Sequence, residues 1–161
     1  MELLLTDEQA QHLIKIFKTT LKRHEIYLSE NSNGIIILKS FEGKHEFTLR
    51  YHFSLSKKTI HFMDNDTKHT LFRVHLSNGF HKNADGEKVF GNRINIFSEE
   101  EFYAKRAMGD SFTHYKCFPL PFENISNTDD FFELFNSVCQ FANIEKQDNI
   151  IIELANQETL F

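Results

Sequence analysis

The chain has 161 residues, 40% hydrophobic and 25% charged, with 2 Pro and 6 Gly, a composition expected to fold as one domain over residues 1–161 and one that excludes collagen-like, low-complexity and broadly disordered classes. The net charge of −5 divides into +2 over residues 1–80 and −7 over 81–161, an acidic C-terminal half that disfavours phosphate and favours a basic partner surface. No apolar run nears the roughly 20 residues of a membrane helix, and the start carries no signal-peptide pattern. Cys117 and Cys139 form no CxxC, so the expectation is a cytoplasmic protein, away from membranes, with two reduced core thiols.

Thr6-Asp7-Glu8-Gln9 fits a capping box, and Leu13, Ile16, Phe17 and Leu21 follow at helical spacing, predicting a helix over 7–22. Lys15, Lys18 and Lys22 are expected on its solvated face. From residue 24 the period becomes two. Glu25 to Leu28 and Ile35 to Leu38 are predicted to pair as a hairpin across the turn-rich segment Ser29 to Gly34. Phe47, Leu49, Tyr51 and Phe53 then alternate with Glu46, Thr48, Arg50 and His52, the pattern of a strand buried on one face. Thr59 to Met63 and His69 to Leu76 extend this into an antiparallel meander.

Ser77 to Val89 reads as a polar loop, and Gly91 to Phe97 as another alternating strand. Ser98 with Glu101 opens a second helix that stops at Gly109. Tyr115 to Leu120 is strand-like. Asn127-Thr128-Asp129-Asp130 caps an apolar helix carrying Phe131, Phe132, Leu134, Phe135, Val138, Cys139 and Phe141, and Asn149 to Leu154 forms a last strand. The fold class is α+β: an antiparallel sheet of about 6–8 strands packed by an N-terminal and a C-terminal helix. Most of the 18 Phe residues, in a chain with no Trp, fall at periodic positions and belong to the core.

The usual signatures of chemistry are missing: no P-loop, dinucleotide fingerprint, nucleophile elbow or HExxH is present. No cofactor is expected. Of nine histidines, six lie between His45 and His81, spaced 6 to 9 apart on separate strands, which argues against structural zinc. A catalytic metal held by three strand histidines stays open. The two-residue rule places Arg73 and His75 on one strand face and Arg93 and Asn95 on another, beneath the loop His81-Lys82-Asn83-Ala84-Asp85-Gly86 if the strands pair. Guanidinium and imidazole groups so placed stabilise a developing phosphorane charge and move a proton, the logic of metal-independent RNA cleavage.

Arg73-Val74-His75, His81 to Gly86, Gly91-Asn92-Arg93-Ile94-Asn95-Ile96-Phe97, Phe118-Pro119-Leu120-Pro121 and a last helix ending Phe141-Ala142-Asn143-Ile144 resemble an uncharacterised family of small bacterial and prophage proteins. The resemblance covers about the latter half of the chain. It implies a mobile-element or host-conflict context without an assigned reaction. That family carries two histidines where this chain has Arg93 and Asn95, so no catalytic role transfers directly.

Three readings follow. The first is a mobile-element protein that binds a partner with a basic surface, for instance to inhibit a host defence nuclease, through Asn83, Asp85, Glu99, Glu100, Glu101, Asp129 and Asp130. The second is a small toxin-like ribonuclease in which Arg73, His75, His81 and Arg93 are catalytic and nucleic acid is the substrate. The third is a housekeeping domain whose polar sheet face has no further role.

Overall fold

A computed structural model describes residues 1–20, 22–123, 125, 131–146 and 149–154. Helix α1 (Asp7–Lys15) opens on a complete capping box: Thr6 Oγ1 accepts from Gln9 N, and Gln9 Oε1 accepts from Thr6 N. It ends well before residue 22, at Ile16, whose backbone is extended. Lys18 explains the early stop. Rather than facing water as expected, it is 0% exposed, and its ammonium donates to Ile14 O at 2.7 Å, Ile16 O at 2.8 Å and Ala142 O at 2.6 Å. All of its protons are thereby spent on carbonyls, including those that a helix end leaves open. Lys15 and Lys22 do stay exposed.

The strands are β1 (Lys18–Thr19), β2 (His24–Leu28), β3 (Ser32–Ser40), β4 (Glu46–Phe53), β5 (Lys58–Asp64), β6 (Thr70–Leu76), β7 (Phe80–Lys82), β8 (Lys88–Phe90) and β9 (Arg93–Phe97). Helix α2 (Glu99–Ala107), β10 (Tyr115–Pro119), α3 (Phe131–Phe141) and β11 (Ile150–Leu154) complete the order. The main sheet has 7 strands in the order β1-β3-β4-β5-β6-β9-β10, with every pairing antiparallel. The architecture is α+β.

The expected pairing of the segments around Glu25–Leu28 and Ile35–Leu38 does not form. Both edges of β3 are taken, by β1 and β4, and β2 pairs in parallel with β11 instead. The turn between β2 and β3 holds Asn31 at φ 62°, a left-handed conformation that Asn tolerates. A second difference is the segment read as a loop, which contains the hairpin β7–β8.

Alternation in β4, β5 and β6 places Phe47, Phe62 and Phe72 on one sheet face, where neighbouring rings stack with centroids 5.1 Å apart. Ala10, Leu13 and Ile14 of α1, and Phe131, Leu134, Phe135 and Val138 of α3, belong to the same buried cluster. Each large apolar side chain buried there stabilises the fold by about 1.5–3 kcal/mol. Phe132, on the far side of α3, stays partly exposed. The proposed cap at 127–130 lies outside the described residues. Burial raises the Cys117 thiol to about 11 and the Cys139 thiol to about 12, as suits packing groups. No helix among the described residues is long and apolar enough to cross a membrane.

Candidate functional site: a polar sheet face beneath a hairpin

The face of the sheet opposite the phenylalanine core is polar across four adjacent strands. In one row the register pairs Asn33 with His52, His52 with Thr59, Thr59 with His75 and His75 with Arg93. In the next row it pairs Arg50 with His61, His61 with Arg73 and Arg73 with Asn95. Directly opposed residues share a face, with about 4.8 Å between strands and about 7 Å between rows. The juxtaposition expected if the strands paired is therefore present, because β6 and β9 are neighbours although the β7–β8 hairpin separates them in sequence.

That hairpin lies against one end of the grid. Gly91 N donates to Gly79 O at 2.8 Å to close its base, and a Cβ at Gly79 would sit 3.6 Å from an Arg93 guanidinium nitrogen. Arg93 Nη1 donates to Ser77 Oγ at 3.1 Å and to Gly91 O at 2.9 Å. Beneath the hairpin, His75 and Arg93 are each 9% exposed and Asn95 4%. Five buried side-chain atoms among the described residues have no hydrogen-bond partner: Arg73 Nε, His75 Nδ1, His81 Nε2, Arg93 Nε and Asn95 Oδ1. All belong to this one constellation. Buried polar groups are nearly always paired, and each orphan costs about 1–3 kcal/mol.

The electrostatics are one-sided. Burial, then the charges of Arg73, Arg93, Lys57 and His81, pushes His75 down to about 3. Burial, then Arg73, Arg50 and His114, pushes His61 down to about 4. His81 is lowered by burial and Lys105, with Glu101 opposing. At neutral pH these rings are uncharged and act as proton acceptors beside fixed guanidinium charges. Away from the hairpin the face opens into a groove of about 410 Å³, lined among others by Asn33, Arg50, His52, Thr59, His61 and Arg73, with no carboxylate.

Sequence reasoning singled out Arg73, His75, His81 and Arg93, which the structure brings together, but weighed His52 and His61 of the same face only as strand histidines for a metal and passed over Arg50 and Thr59. The signal was available in the alternation of β4 and β5, where Arg50 and Thr59 read only as the solvent side of a strand. The residues assigned to a partner surface fare differently. Asn83 is buried with both ends of its amide bonded to Cys117, and Glu101 is buried and accepts from Ala84 N at 2.8 Å. Both are corrected to internal positions holding the hairpin. Glu99 and Asp7 exchange backbone-to-carboxylate bonds of 2.8 Å that tie α2 to α1. Asp85 and Glu100 are exposed, and Asp129 and Asp130 lie outside the described residues.

A family model described as a family of unknown function, DUF6978, matches residues 5–144. The chain belongs to this family. The DUF6978 match runs from just before α1 to just beyond α3 and takes in the whole polar face, well beyond the latter half on which the sequence resemblance rested. No curated protein and no solved structure matches the chain. Among the described residues, no three His, Cys, Asp or Glu side chains converge in a way that would hold a metal ion.

Proposed function

We propose that the polar face binds a ribose phosphate and that the chain cleaves RNA without a metal ion. The observation that carries this is the set of orphaned buried atoms on Arg73, His75, His81, Arg93 and Asn95. The guanidinium nitrogens are donors that suit phosphate oxygens, the neutral imidazoles accept or relay protons, and the Asn95 carbonyl accepts from a hydroxyl. A phosphodiester supplies oxygens for the guanidinium donors, and the ribose 2′-hydroxyl beside it supplies one proton, which Asn95 or His75 can accept.

In the reaction, His75 takes the proton of the 2′-hydroxyl as that oxygen bonds to phosphorus. The P–O5′ bond breaks, and a protonated His81 gives its proton to the departing 5′-oxygen. The products are a 2′,3′-cyclic phosphate and a 5′-hydroxyl. Arg73 and Arg93 stabilise the charge that builds on the phosphoryl oxygens, strongly so in a buried site. The bound phosphate's negative charge also raises the depressed imidazoles, which lets His81 carry the proton it must donate.

The test is incubation of RNA and of DNA of the same sequence in the presence of a chelator. RNA is expected to be cut to cyclic-phosphate ends and DNA left intact. His75→Ala and His81→Ala should each slow cleavage about 100- to 10,000-fold with an unchanged circular dichroism spectrum. Intact RNA, or cleavage indifferent to both substitutions, overturns the proposal. RNA left intact by a chain that instead captures a basic protein through Asp85 and Glu100 would return the protein-partner reading.

A further inference from the structure

The buried cluster occupies only one end of the polar face. The groove beside it carries a cation of its own, Arg50, which is exposed and for which no hydrogen bond or ion pair is found among the described residues. Across the register, Arg50 is separated from Arg73 by His61. That places the two backbones two strand spacings, or about 10 Å, apart, near enough for their long side chains to hold successive phosphates. The volume, about 410 Å³, lies within the range of clefts that enclose a small organic ligand.

The groove also has groups suited to the body of a nucleoside. His52 Nδ1 donates to Asn33 Oδ1 at 2.6 Å, which orients the ring and leaves Nε2 outside that bond. His61 Nε2 lies 2.7 Å from Thr70 Oγ1, which fixes its ring. With no carboxylate in the lining, nothing there repels a second phosphate.

We propose that this groove is a second phosphate subsite, so that the ligand of the polar face is a nucleoside phosphorylated on both its 3′ and 5′ sides, with one phosphate at Arg73 and Arg93 and the other at Arg50. This rests on the phosphate reading of the buried cluster and extends it to a stretch of chain one nucleotide longer. It also gives the ligand a route in, from the open groove toward the residues covered by the hairpin.

Calorimetric titration at low ionic strength with inorganic phosphate, adenosine 3′-monophosphate and adenosine 3′,5′-bisphosphate tests it, since none of these probes has a phosphodiester to cleave. The bisphosphate should bind about tenfold more tightly than the monophosphate, the worth of one charge-assisted hydrogen bond. Arg50→Ala, at an exposed position, should erase that advantage and leave the monophosphate affinity unchanged. Equal affinities in the native chain, or an advantage that survives Arg50→Ala, overturns the second subsite while leaving the first in place. If none of the three probes binds, the phosphate reading of the buried cluster fails and the subsite with it.

Discussion

Asn83 holds the backbone of Cys117 at both ends of its amide: Nδ2 donates to Cys117 O at 2.9 Å, and Oδ1 accepts from Cys117 N at 2.9 Å. The side chain thus acts as one more strand along the free edge of β10 and anchors the hairpin over the polar face. Lys105 Nζ to Lys82 O at 2.9 Å and Ala84 N to Glu101 Oε2 at 2.8 Å reinforce the same junction.

Asn83→Ala removes both bonds and leaves two backbone groups of β10 to find water. The expected loss is about 1–3 kcal/mol in urea unfolding. Amide exchange at Cys117 and through β7–β8 should quicken, while the β4–β5 amides keep their protection. Unchanged exchange at Cys117 would mean that the clasp does not hold the hairpin.

Lys18 makes stability depend on alkaline pH. Burial pushes its ammonium from 10.5 down to about 7, so between those values the unfolded chain holds one proton more than the folded chain. The contribution of Lys18 to stability therefore rises with pH across that window, with a slope approaching about 1.4 kcal/mol per pH unit. Lys18→Met leaves three carbonyls without their donor and is expected to be less stable than the native chain at pH 10. Denaturant midpoints from pH 7 to 8.5 should climb for the native chain and stay nearly flat for the variant, a range below that in which the two buried thiols, raised in the folded chain, make stability fall with pH. Parallel curves would refute the assignment.

Two other histidines make the fold sensitive to acid. His69 Nε2 accepts from Leu4 N at 2.8 Å, and His114 Nε2 accepts from Thr70 N at 2.8 Å. Protonation turns each acceptor into a donor and breaks the bond. Both rings are lowered chiefly by burial, as are His61 and His75, so below pH 6.5 the unfolded chain binds more protons and stability falls as pH falls. Urea midpoints between pH 7.5 and 5 should drop, and His114→Gln should lessen the drop. A midpoint constant over this range would count against neutral buried rings.

Asn95→Leu should separate stability from function. Its Oδ1 is buried without a partner in the free protein, so an apolar residue of similar volume removes a cost of about 1 kcal/mol or more. The melting temperature should rise by about 2–4 °C, while the tighter binding of a ribonucleotide 3′-phosphate over its 2′-deoxy counterpart shrinks. A lower melting temperature would show that Asn95 supports the fold rather than waiting for a ligand.

Local order was legible in the sequence. The Thr6–Gln9 capping box, the start of α2 at Ser98 and the alternation that sets Arg73 with His75 and Arg93 with Asn95 all rest on interactions within a few residues, which composition and period encode directly. What alternation cannot state is which strands lie side by side. It assigns each residue a face but no neighbour, so the meeting of His75 with Arg93, and the continuation of that row through Thr59 to His52, became visible only when β4, β5, β6 and β9 were in register. The same limit explains the errors. Lys18 looked like a surface cation because its carbonyl from Ala142 lies 124 positions away. Asn83 and Glu101 looked like surface polar groups because their partners belong to other elements. Whether a polar side chain faces water, holds the fold or is left waiting for a ligand depends on acceptors and donors brought from elsewhere in the chain, and only tertiary packing supplies those.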